Sequence, residues 1–355
     1  MKIALLNDTH FGCRNDSPAF IEYQNKFYND VFFPYIRENN VNTLIHLGDV
    51  VDRRKFINHN TAHNFKQNFW NRLEENNIDT HIIIGNHDTY YKNTNSINSM
   101  QQLITTFDGV NEPFIYEKPK TVEFDGLPIL FIPWICPENE EESLKTISES
   151  QSQICMGHLE VKGFEMHKGH FQEHGLEMDL FKRFEKVYSG HYHRKSDNGT
   201  IFYLGTQYEI TWSDYQCPKG FHIFDTETRE LTRISNPLSI HKKIIYDDKK
   251  KDYTNYDIKP YHNHFVKLIV LNKTDNEIFD KFVERLYNEI TLHYLNIVED
   301  YSDIKASVRE DILEMGEDTV TFLNNYVDQL ETDVSKTKLK EYLKSIYIEA
   351  SDNKV

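Results

Sequence analysis

Five short polar clusters in the chain combine histidine, aspartate and asparagine in a mixture suited to divalent cations. They are Asp8-Thr9-His10, Gly48-Asp49 with Asp52-Arg53, Gly85-Asn86-His87-Asp88, Gly157-His158 and Gly190-His191-Tyr192-His193. Carboxylate, amide and imidazole donors together match two borderline ions such as Mn²⁺, Fe²⁺ or Zn²⁺. In an extended or tightly turning segment residues i and i+2 point the same way, so Asp8/His10 and His191/His193 can each aim a pair inward. The glycines let the main chain turn sharply and approach the ions closely. A lone DxH is ordinarily a capped turn, and a lone GH carries no signal. Five clusters, each behind an apolar run, outweigh the plainer reading of surface turns rich in His and Asp.

Those apolar runs are the elements that must position the clusters. They cover residues 3–6, 41–47, 82–84, 129–132, 154–156, 187–189 and 201–204, each short and bounded by Gly, Pro or Asn. Such runs read as buried strands. Amphipathic stretches at 20–38 and 61–76 have helical spacing, and strand–helix alternation implies an α/β layer fold with a largely parallel sheet near the start. Loops at the carboxyl ends of parallel strands converge on one crevice, which brings distant residues into one site. Hairpin-like connections around 202–226 make the sheet arrangement mixed.

Beyond residue 239 the texture changes. Residues 241–264, Lys-, Asp- and Tyr-rich, read as a linker or surface hairpin. Residues 265–271 read as a strand, 278–294 as a helix with Thr274 or Asp275 as its cap, and 295–298 as a second strand, together a β-α-β unit. The tail from 302 is acidic and helical, with apolar stripes near 319–330 and 336–350. The divisions expected are 1–240, 241–300 and 301–355.

Composition sets the outer bounds. A chain of 355 residues predicts two domains, or one with appendages, at ~100–200 residues per domain. Apolar residues at 39% exclude wholesale disorder. No apolar run reaches the ~18 residues of a membrane span, and the N-terminus lacks a signal peptide's cleavage region. Cys13, Cys136, Cys155 and Cys217 form no CxxC pair, so reduced thiols in the cytoplasm are expected. A formal net charge of −16, from 40 Lys+Arg against 56 Asp+Glu, argues against polyanion binding through the surface as a whole.

The ordered set DxH, GDxxDR, GNHD, GH and GHxH resembles the calcineurin-like metallophosphoesterase superfamily. Within it, the β-α-β unit and the helical tail are similar to the SbcD-type nuclease subunits of double-strand-break repair, and closest to the recombination endonuclease subunits of tailed bacteriophages. GDVVDRRK at 48–55, GNHDTYYKN at 85–93, IPW at 132–134 and FYLGT at 202–206 carry this likeness. The resemblance implies a four-layer αββα sandwich with mixed sheets, then a small α+β capping domain and a C-terminal helix-loop-helix. It implies two cations, Mn²⁺ foremost with Mg²⁺ as second choice. One would be held by Asp8, His10 and His193, the other by Asn86, His158 and His191, with Asp49 bridging. His87 would contact the scissile phosphate and help protonate the leaving oxygen. Some relatives carry His at the position of Asp52; phosphatases carry an Asp that orients the catalytic His. The expectation here is that the Asp52 carboxylate hydrogen-bonds His87.

The activity implied is hydrolysis of DNA phosphodiester bonds, as exonuclease and as single-strand or structure-dependent endonuclease. An SbcC-like coiled-coil ATPase would drive duplex access, since the chain has no GxxxxGK[ST] signature. It would dock on the tail, with Phe322, Tyr326, Leu339, Tyr342, Leu343 and Ile346 as candidate contacts. A homodimer within a heterotetramer is a family expectation. Arg53, Arg54, Lys55, Tyr90 and Lys92 are candidate DNA contacts, against the plainer reading of solvated turns and loop packing. Trp134 reads as a core or sheet-edge aromatic. The rival readings are a phosphomonoesterase or protein phosphatase on the same scaffold, and a non-catalytic scaffold for the ATPase.

Overall fold

The computed structural model describes residues 1–104, 114–167, 170–299 and, within the tail, 327, 335, 336, 338–340, 342 and 343. Phe322, Tyr326 and Ile346 lie outside the described residues. No helix among the described residues is long and apolar enough to cross a membrane.

Two six-stranded sheets form the centre. The first runs Leu231–Asn236, Lys219–Asp225, Lys2–Leu6, Thr43–His46, Asp79–Ile83, Phe114–Tyr116. The second runs Ser196–Asp197, Ile201–Tyr203, Lys186–Ser189, Ile154–Gly157, Leu127–Ile132, Lys120–Phe124. Both mix parallel and antiparallel pairs: Lys2–Leu6 is parallel to Thr43–His46 and antiparallel to Lys219–Asp225.

The layers follow from side chains that alternate along each strand. Ile3 and Leu5 point inward with Ile45 and Ile83, against Ile129, Phe131, Ile154 and Met156 of the second sheet. Their neighbours Ala4 and Leu6 point outward and pack with Phe27, Tyr28, Phe65 and Phe69 of the helices. On the far side Leu130, Cys155 and Val187 meet Ile147 of helix Glu140–Glu149. This gives helices, sheet, sheet, helices: the αββα sandwich. The helix expected at 20–38 forms as Pro18–Phe27 and Phe33–Glu38, joined by a π turn at Tyr28–Phe32. The one expected at 61–76 has the same plan, with a π turn at Lys66–Trp70.

A third sheet follows, three parallel strands in the order His241–Asp247, Phe265–Asn272, Tyr294–Val298. Helix Asn276–Asn288 makes the crossover and buries Phe279, Phe282 and Leu286 on Val266 and Leu268. The Asp275 side chain caps it, accepting from Ile278 N–H at 3.1 Å. The helix ends earlier than its spacing suggested. His241–Asp247 corrects the reading of 241–264 as linker or hairpin. Its lysines mask an apolar strand: Ile244 and Tyr246 are buried, whereas Lys242 and Lys243 are half-buried, Lys243 with its Nζ 4.8 Å from the Tyr215 ring centroid.

Candidate metal centre

The five clusters leave the ends of five strands and meet at one end of the sandwich. Asp8 and His10 follow Lys2–Leu6, Asp49 follows Thr43–His46, and Asn86 and His87 follow Asp79–Ile83. His158 follows Ile154–Gly157, and His191 and His193 follow Lys186–Ser189 in the second sheet. Their donor atoms form two groups, Asp8/His10/His193 and Asp49/His158/His191, each within 4.8 Å. Asp8, His10, Asp49 and His191 have φ of 49°, 44°, 55° and 85°. Non-glycine residues in this left-handed region cost about 1–3 kcal/mol each, a strain that clusters at functional sites.

Asp49 lies between the groups. Its Oδ2 is 3.3 Å from His158 Nε2 and 3.8 Å from His10 Nε2. Asn86 Oδ1 sits 3.0 Å from His158 Nε2 and 3.1 Å from His191 Nδ1. His10 and His193 face each other at 3.1 Å between their Nε2 atoms. His158 Nδ1 donates to the Leu47 carbonyl at 2.7 Å, which leaves Nε2 as its ligand atom. Close packing allows this: a Cβ at Gly48 would stand 2.5 Å from His158 Nδ1.

The electrostatics show what the site wants. Burial opposes charge on His10, yet Asp52 and Asp49 raise its pKa to about 9. Burial likewise opposes charge on His158, and Asp49 takes it to about 9. Burial and the neighbouring His158 bring His191 down to about 3, and burial and His10 depress His193. Asp49, though buried, is held well below the carboxylate range by His158, His87 and His10. His10 and His158 are thus drawn toward the charged form beside Asp49, while His191 and His193 are held toward the neutral form. This donor set fits two divalent cations.

The Asp52–His87 pair does not form as expected. His87 Nδ1 donates to the backbone carbonyl of Asp52 at 2.5 Å. The Asp52 carboxylate turns instead to His10, with Oδ1 3.3 Å from Nδ1. Main chain and side chain of one residue thus serve two different histidines.

The basic cluster is partly committed to structure. Arg54 donates to Thr89 O, Thr89 Oγ1 and Tyr91 O, tying down the GNHD loop. Arg53 pairs with Asp16 at 3.0 Å and Asn15 at 2.7 Å. Lys55, Tyr90 and Lys92 are exposed near the loop. In the tail Tyr342 is exposed and Leu339 and Leu343 half-buried.

Three positioning groups were not foreseen. Asp88 is buried, and its carboxylate accepts from the N–H of Asp49, Val50, Val51 and Gly85 at 2.8–3.2 Å. Its place as the last residue of GNHD was the available signal. Trp134, read as core or sheet edge, is half-buried with its ring 5.2 Å from that of His191. Lys219 is buried behind His193, donating to its carbonyl at 3.0 Å and pairing with Asp214. Burial alone would raise Asp214, but Lys219 and His193 hold it at about 2. A carboxylate depressed from 3.8 contributes stability that is complete above its unfolded pKa and lost as pH falls through about 2. Asp214→Asn should therefore remove about 2 kcal/mol at neutral pH and abolish that step in an acid unfolding series. An unchanged acid limb would refute the assignment.

A calcineurin-like phosphoesterase profile matches residues 1–195. Exonuclease subunit 1 of Enterobacteria phage T4 is 35% identical over 355 residues, covering 99% of this chain and all of that one. The SbcD subunit of the nuclease SbcCD from Staphylococcus epidermidis is 24% identical over 221 residues, 58% of each chain. Among solved structures, an archaeal phosphodiesterase covers 66% of this chain, and all of its own, at 18% identity and a TM-score of 0.30. With a matched profile that ends just past the last donor histidine and a full-length relative at this identity, the chain belongs to the calcineurin-like phosphoesterase family.

Proposed function

We propose that the chain is a two-metal DNA phosphodiesterase, the nuclease subunit of a recombination and repair complex, with exonuclease and structure-dependent endonuclease activity. The observation that carries this reading is Asp49 Oδ2, which faces donors of both groups at 3.3 and 3.8 Å. One cation would be held by Asp8, His10 and His193, the other by Asn86, His158 and His191, with Asp49 bridging. Mn²⁺ suits the mixture best, with Mg²⁺ second. When bound, the pair would lower the pKa of a shared water and draw charge from the phosphoryl oxygens. The chain's own residues do the rest. A carbonyl can only accept, so His87 Nδ1 keeps its proton on Asp52 O, and Nε2 is the atom that can pass a proton to the leaving oxygen. The Asp52 carboxylate orients His10. Asp52→Asn should weaken cation binding by about 10–100-fold in calorimetric titration while the alkaline limb of the rate profile stays in place. Unaltered affinity would remove Asp52 from this role.

The two relatives, an exonuclease subunit and a nuclease subunit by name, support nuclease chemistry and membership of a complex. The partner in this reading is an SbcC-like coiled-coil ATPase, docked on the tail through residues that include Leu339, Tyr342 and Leu343. The complex would contain two copies of each chain and work in the cytoplasm, the host's if the chain is phage-encoded. Lys55, Tyr90 and Lys92 are the basic and aromatic groups left to meet DNA beside the site.

The test is cleavage of single-stranded DNA by the purified chain in Mn²⁺, beside a phosphomonoester control. DNA cutting without monoester turnover is the expected result, with duplex cutting stimulated by the ATPase. Monoester turnover without DNA cutting would transfer the chain to the phosphatases.

A further inference from the structure

Beside the His158/His191 half of the centre lies a cleft of about 310 Å³. Trp134, Pro137 and Leu176 supply apolar lining, Glu140 and Glu160 supply carboxylates, and His158 is part of the wall. The volume is at the small end for ligand sites and too small for a duplex. Trp134 is held from both sides of its backbone: its N–H donates to Ile84 O at 2.8 Å, and its carbonyl accepts from Asn95 at 2.8 Å and Asn139 at 3.0 Å. Its ring centroid stands 5.2 Å from His191 and 6.2 Å from His158. A large planar side chain is thus fixed, half-exposed, one ring away from two candidate cation ligands.

The carboxylates decide what can enter. Glu160 Oε1 accepts from Gln172 Nε2 and lies 4.0 Å from His191 Nε2, and Glu140 opens helix Glu140–Glu149. Two acidic walls repel a phosphate, so the backbone of a bound strand stays on the cation side. They accept readily from an exocyclic amino group. Apolar walls, a stacking face and amine acceptors together describe a site for a base.

We propose that this cleft receives one unpaired nucleobase adjoining the scissile phosphate, stacked on Trp134 and read by Glu140 and Glu160. The proposal rests on the nuclease reading above and adds two things to it. Cutting requires the base to leave its duplex partner, and bases with amino groups are preferred over thymine. Unpairing costs a few kcal/mol in a duplex and nothing in a free end, which gives the site its own preference for single strands.

The test pairs a binding readout with a turnover readout. A single strand with a terminal 2-aminopurine, mixed with the full chain in Mn²⁺ in a stopped flow, should lose fluorescence by stacking before any cut. Trp134→Ala should abolish this quench and Trp134→Phe should keep most of it. In turnover, Trp134→Ala should lower the ratio of oligo-dA cleavage to bis(p-nitrophenyl) phosphate hydrolysis by about tenfold, a typical loss of one base–aromatic stack. Glu160→Gln with Glu140→Gln should level the rates on oligo-dA and oligo-dT. A quench that survives in Trp134→Ala, or base and base-free substrates falling in parallel, would overturn the proposal and leave Trp134 as a prop for His191. Wild-type hydrolysis of the small ester with no DNA cleavage would count against the nuclease reading, and the quench would still decide the cleft on its own.

Discussion

His87→Ala should cut single-stranded DNA about 10²–10⁴-fold more slowly than wild type while binding its cations with nearly unchanged affinity. The separation follows from geometry. His87 contributes no donor atom to either candidate cation group, yet its ring meets that of His10 edge-on, centroids 4.9 Å apart. Its Nδ1 proton is fixed on the Asp52 carbonyl, so removal of the ring deletes one proton-transfer group and no ligand. General acid catalysis is worth that range of rate, and the cation chemistry remains. Single-turnover kinetics and calorimetric titration on one preparation check both halves. Activity within tenfold of wild type would remove His87 from proton transfer. Loss of the cations would mean that it props the centre instead.

Asp88→Ala carries the largest expected effect on stability. One buried carboxylate accepts from four backbone N–H groups, three in the loop that carries Asp49 and one at Gly85. Truncation takes the acceptor from those buried donors, and each unsatisfied buried group costs about 1–3 kcal/mol. A total of at least about 4 kcal/mol is expected, which lowers the melting midpoint by roughly 10 °C in a domain of this size. Asp88→Asn keeps one acceptor oxygen and the shape, and should lose about half as much. Melting in chelator isolates this term from cation binding. A midpoint shift of only a degree or two in the alanine variant would show that the loops hold themselves.

The sequence was most readable where residue type and local period agree. The seven apolar runs lie on observed strands, because buried strands of a two-sheet core have few polar residues to blur them. The clusters behind them converge as strand-end loops should. What escaped reading was set by tertiary contact. Asp88 looks like a third donor in GNHD, and only the fold reveals that its carboxylate faces backbone. Asp52 has two hydrogen-bonding faces, and no spacing rule says which of them meets His87. Lys242 and Lys243 hid the strand His241–Asp247, since the parallel partner that buries Ile244 and Tyr246 lies at Phe265–Asn272. The strands Phe114–Tyr116 and Lys120–Phe124 passed unnoticed because an edge position tolerates polar residues such as Lys120 and Glu123.

The acidic composition also finds its place. Carboxylates are spent inside the site as well as on the surface: Asp8, Asp49 and Asp88 are all buried. A count of charges over the whole chain therefore says little about the potential a strand of DNA meets near the loops.

Each donor group draws on both central sheets, Asp8 and His10 from the first with His193 from the second, Asp49 from the first with His158 and His191 from the second. Cations seated there would be rivets between two layers that elsewhere meet mainly through apolar side chains. Ion supply then governs durability along with turnover, since a ligand at a hundred times its Kd adds about 2.7 kcal/mol to the folded state. A cell starved of the right ion would lose this protein twice, first as a catalyst and then, as the riveted end of the sandwich loosens, to its proteases.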